Sequence, residues 1–192
     1  SKYIQKIERN LQDLLRANEL DVSALTTLRL EHDEVIAAFE DVLRDATDRF
    51  AGDAQFPRYL AMINLQVRDY DEALQFATLA ARRTPGDRIA DALITARALK
   101  ALDRTQQLIA VLKPHEHSVV TRGQERTTEA PGEGYSMLLE AFLKNGEVEY
   151  AAALLQRAGG RPLYVKHFED VLRARSPEVA RRGIEALAAQ SS

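Results

Sequence analysis

Pro57-Arg58-Tyr59-Leu60-Ala61, then Asp69-Tyr70-Asp71-Glu72-Ala73-Leu74, then Ala80, then Thr84-Pro85: this stretch decides the fold. Apolar residues recur at steps of three and four, so each half forms an amphipathic helix. Ala61, Ala73 and Ala80 stand where two antiparallel helices would otherwise collide. Asp69 and Tyr70 make the turn. Thr84 and Pro85 end the second helix, because proline disfavours a helical residue before it. The spacing predicts one helix over 54–68 and a second over 71–83.

Working outward, the same grammar returns. A second hairpin is read from Asp87 to Pro114, its first helix carrying Ile89, Leu93, Ala96 and Leu99, its turn at Asp103-Arg104-Thr105, its second helix over 106–113. Leu108 replaces the small residue and Pro114 arrives early, so this unit is short by about one turn. A third hairpin runs over 135–144 and 147–158 around Asn145-Gly146. Between them, His115 to Gly134 is rich in Ser, Thr, Gly, Glu and Arg and reads as a loop, a length that is usually functional or mobile.

At the front, Ile4, Ile7, Leu11, Leu14 and Leu15 mark an amphipathic helix over 2–17. A short helix through Leu25 and Leu28 precedes a longer one over 31–50, and the spacing leaves open whether the two are continuous. At the back, Gly159-Gly160-Arg161-Pro162 breaks the chain before a helix over 163–175. Ser176-Pro177-Glu178 opens the last, with serine as N-cap and proline in the first position. The domain reading is therefore N-terminal helices over 1–52, three hairpins over 53–160 interrupted by a loop at 115–134, and a capping helix pair over 161–192.

Ala61, Ala73, Ala80 and Pro85 fall where the 34-residue tetratricopeptide repeat wants three small residues and a helix-ending proline, and Gly146, Ala151 and Ala158 match its turn glycine and small positions. The chain resembles that family over about 54–158. None of the units has the bulky aromatic often seen early in the first helix, and Arg68 and Asp103 occupy the turn-glycine region of the other two. The resemblance implies an all-α protein, an α-α superhelix of antiparallel hairpins with helical extensions at both ends. It also implies a surface for other proteins rather than a reaction vessel. First helices line the groove in such arrays, so the implied partner-binding residues are Arg58, Tyr59, Met62, Gln66, Arg97 and Lys100. Arginine there suits a partner carboxylate, which it can grip with two hydrogen bonds. The family's carboxylate-clamp subgroup adds asparagines; Asn64 is the single candidate, with no counterpart in the second hairpin.

Composition agrees with a globular domain: 192 residues, 45% hydrophobic and 29% charged. A net charge of −3 gives no general attraction to nucleic acid or anionic membrane. No run approaches the ~20 apolar residues of a membrane span, and no signal-peptide pattern opens the chain. Absence of cysteine excludes disulfides, thiolate metal sites and cysteine nucleophiles. The excess of arginine over lysine suits a GC-rich, bacterial genome.

Candidate chemistry is sparse. His115-Glu116-His117 is the one dense group of metal-ligand types, and nothing near it supplies a third ligand, so it reads as a solvated loop start. Asp33-Glu34, Glu40-Asp41 and Asp71-Glu72 are neighbours that point apart on a helix. Neither a phosphate loop nor a Gly-x-Ser-x-Gly nucleophile turn is present. The expectation is a non-enzymatic adaptor or scaffold, without cofactor or metal, that holds a protein or peptide partner in the cytoplasm or, alternatively, the periplasm. The other reading is a non-catalytic oligomerisation or docking domain of a larger protein, such as a glycosyltransferase or a secretion-system component. Self-association through the exposed ends of the stack belongs to both.

Overall fold

The computed structural model describes residues 33–86, 88–125 and 132–190; the helices expected over 2–17 and around Leu25 and Leu28 lie outside these, as do Asp87 and 126–131. The described residues form helices and no strand: α1 Asp33–Arg49, α2 Gln55–Gln66, α3 Tyr70–Arg83, α4 Ile89–Ala101, α5 Thr105–Leu112, a 3-10 turn Lys113–His115, α6 Glu116–Glu125, α7 Glu133–Lys144, α8 Val148–Arg157, α9 Pro162–Arg173 and α10 Pro177–Gln190. None of these helices is long and apolar enough to cross a membrane. The chain divides into two compact units, with the boundary between Ala98 and Leu99.

In the first unit, Phe39, Leu43 and Thr47 fall four residues apart on α1 and are buried, while Asp41, Asp45 and Asp48 on other faces are exposed. Phe39 and Leu43 pack with Leu60 and Ile63 of α2. On α3 the buried residues are Ala73, Ala77 and Ala80, a small-residue stripe that lets α2 and α3 pack closely. Ala61, Ala77 and Ile94 form the cluster through which α2, α3 and α4 meet. The ends of α3 are well matched: Asp69 accepts from the Glu72 N–H, Asp71 and Glu72 sit in the first turn, and Arg82 and Arg83 in the last. Each charge opposes the helix dipole at its end.

The second unit is built around α7, which is buried at Tyr135, Met137, Leu138, Leu139, Ala141, Phe142 and Leu143. Apart from a stripe at Glu133, Ser136, Glu140 and Lys144 the helix is apolar, so it needs neighbours on most sides, and α5, α6, α8 and α9 supply them. The rings of Tyr135 and Tyr164 meet edge to face, 4.6 Å apart. On α10, Gly183 allows close packing on α9: a Cβ there would stand 2.7 Å from Leu172 Cδ1.

Within the segment 115–134, the described residues 115–125 are not the loop expected from composition. Glu116–Glu125 is helical, and Val119 and Val120 are buried in it. Pro114 lies in the first positions of the 3-10 turn, where its missing N–H breaks no bond. Leu112, Lys113 and Glu116 all keep right-handed helical backbone, so proline does not end the helical path here.

The three turns that follow α2, α4 and α7 share one geometry. Arg68, Asp103 and Gly146 have φ of 66°, 59° and 76°. The next N–H in each case reaches back five residues to a carbonyl at 2.9 Å: Asp69 to Asn64, Arg104 to Leu99, Glu147 to Phe142. This is the six-to-one bond of the Schellman motif, which satisfies a carbonyl left open at the helix end.

Candidate interaction site

A buried ion pair organises the first unit. Arg58, in the second turn of α2, donates from Nε to Asp91 Oδ1 at 2.6 Å and from Nη2 to Oδ2 at 3.0 Å. Asp91 lies in the first turn of α4 with its side chain 1% exposed, against 27% for Arg58. Thr84, the residue that closes α3, donates its hydroxyl to Asp91 Oδ2 and accepts from Arg58 Nη2 at 3.1 Å. One carboxylate thus joins three elements. Burial alone pushes the Asp91 carboxyl up; the hydrogen bonds from Arg58 and Thr84, with the Arg58 charge, outweigh it and hold the group below the ordinary carboxylate range. The same bond raises the Arg58 guanidinium.

Beside this pair lies an open depression of about 460 Å³, lined by Gly52, Asp53, Ala54, Thr84 and Pro85 with Arg58 and Arg83. Arg83 donates from Nη1 to the carbonyl of Thr47 at 3.0 Å and to that of Asp53 at 3.3 Å. Those acceptors are neutral, so they orient the guanidinium and leave its charge in place. Asp53 turns Oδ1 to the N–H of Gln55 at 2.7 Å, capping α2 from just outside.

The residues assigned to partner binding are placed unequally. Arg58 is tied to Asp91, so its charge is answered within the unit. Tyr59 and Met62 are half-buried against the Phe39–Ile63 cluster. Gln66 is exposed at the last position of α2, and Arg97 is exposed on α4, where it already has an interaction within the chain. Lys100 lies beyond the unit boundary and bonds Glu140 Oε2 at 2.7 Å. Asn64, the clamp candidate, is 4% exposed and donates to the carbonyl of Leu60 in its own helix, so it faces the core. Glu116, from the His115-Glu116-His117 triplet, pairs with Arg157 of α8. Among the described residues no group of three His, Asp or Glu side chains could hold a metal ion.

Sequence reading gave Asp91 and Arg83 no part in a site and took Thr84 only as a helix end. Asp91 had one visible signal, an acid inside the apolar run Ile89-Ala90-Asp91-Ala92-Leu93. Its partner is 33 residues away. No family model matches this chain, and no curated protein or solved structure matches it either.

Proposed function

We propose that the protein is an adaptor that holds another protein or peptide on a tetratricopeptide-like array of helical hairpins. The observation that carries this reading is the turn geometry shared by Arg68, Asp103 and Gly146. The same helix ending joins the two helices of each hairpin, and it recurs after α8 at Gly159; with the small-residue packing of α2 on α3 it supports a chain of hairpins that offers a surface rather than an enclosed cavity. Partner contact is assigned in the first unit to the exposed Gln66 and Arg97 more than to Arg58, Tyr59 and Met62, which serve that unit's interior, and in the second unit, by itself, to Lys100.

Affinity capture with the full chain, followed by mass spectrometry, tests it. The expected result is a partner retained by the wild type and lost or reduced with Arg97→Glu or Lys100→Glu, while helicity by circular dichroism is unchanged. A wild-type chain that captures nothing above a mock resin would sink the reading.

A further inference from the structure

We propose that the depression beside α2 takes a carboxylate of an acidic peptide segment, with Arg83 as its principal contact; this rests on the adaptor reading and names a residue and a partner chemistry for it. Three observations carry it. Arg83 lines the depression and is held there by two main-chain carbonyls, Thr47 at 3.0 Å and Asp53 at 3.3 Å. A guanidinium anchored through Nη1 keeps its charge and needs little ordering to meet an incoming anion. Second, the other lining arginine is already neutralised. Arg58 grips Asp91 through two bonds, so it shapes the wall without competing for the ligand. Third, Arg88 donates to the carbonyl of Thr84, a lining residue, and is itself exposed, which adds a second cation close to the lining.

The shape selects the source of the carboxylate. Sites for small molecules enclose most of the ligand, whereas this depression is open to solvent. It has room for one or two side chains presented by a larger body. An Asp or Glu of an extended acidic segment fits, with a neighbouring acid within reach of Arg88. Asp53 is the opposing charge in the lining, and it supplies a second handle on the same site.

The test is fluorescence anisotropy of a labelled hexaglutamate peptide with the full chain, beside a hexalysine peptide and free glutamate as competitor. Hexaglutamate binds and hexalysine does not; free glutamate displaces it poorly compared with unlabelled hexaglutamate at the same carboxylate concentration. Arg83→Gln weakens binding about tenfold, the scale of a lost charge-assisted hydrogen bond. Asp53→Asn tightens it about threefold by removing like charge while keeping an oxygen for the Gln55 N–H. Affinity that is unchanged in Asp53→Asn overturns the site, and so does affinity within about twofold of wild type in a folded Arg83→Gln. Should Arg83→Gln fail to fold, Asp53→Asn decides alone. Displacement by free glutamate as effective as by peptide would reassign the site to a small carboxylate and overturn the peptide. A partner captured equally by wild type and Arg83→Gln keeps the adaptor reading and overturns this site. Peptide binding that survives while no protein is captured does the reverse.

Discussion

Asp91 is the residue on which the first unit turns. A carboxylate at 1% exposure is tolerable because Arg58 and Thr84 satisfy both oxygens. Asp91→Asn weakens the pairing and is expected to destabilise the unit by about 2 kcal/mol at neutral pH, below the usual figure for a broken buried pair because Arg58 is partly solvated. The sign with pH follows from the lowered carboxyl: its folded-state pKa lies below the unfolded value near ~3.9. The stabilisation is therefore full above the unfolded value and is lost as pH falls through the folded one. Urea unfolding of wild type and Asp91→Asn at pH 7, 4 and 3 should show the gap narrowing at acid pH. A gap that stays constant would mean the charge is not what matters. Burial of this group was legible only as an oddity in an apolar run, since its stabilising partner belongs to another helix.

Among elements, the turns are the informative scale. Arg68 and Asp103 adopt the left-handed conformation that Gly146 enters at no steric cost. Arg68→Gly should stabilise by about 1 kcal/mol, and Gly146→Ala should destabilise by about 1–2 kcal/mol, read as shifts of the urea midpoint. Asp103→Gly should gain less, because aspartate tolerates this conformation and Asp103 also pairs with Lys144. If Arg68→Gly lowers stability, the added freedom of the unfolded chain outweighs relief of strain. Helix positions were legible from periodicity and punctuation: α2, α3, α5 and α7 to α10 fall within a few residues of expectation. The segment 115–134 was not. Its polar composition outweighed the Val119-Val120 pair, which alone suggested at most a short extended piece and is buried in a helix, and Pro114 reads in sequence like a stop.

At the scale of the whole molecule, each unit has its own core. Phe39 anchors the first with Leu43, Leu60 and Ile63, and Phe142 lies wholly buried in the second. Phe39→Ala and Phe142→Ala should each cost about 3–5 kcal/mol. Native-state hydrogen exchange should show the lost protection confined to α1–α3 for the first and to α5–α9 for the second. Uniform loss across all helices from either substitution would show one cooperative unit instead.

The helical class was determined by the chain alone: apolar spacing of three and four, small residues facing each other, and punctuation by proline, glycine and capping acids are local properties. Which charge meets a carboxylate was decided only by tertiary structure. Arg58 and Arg83 look alike in sequence, both on helices and both basic. Among the described residues, folding brings Asp91 to one and the main-chain carbonyls of Thr47 and Asp53 to the other. A contact between residues some thirty positions apart depends on how helices pack, and periodicity carries no record of that.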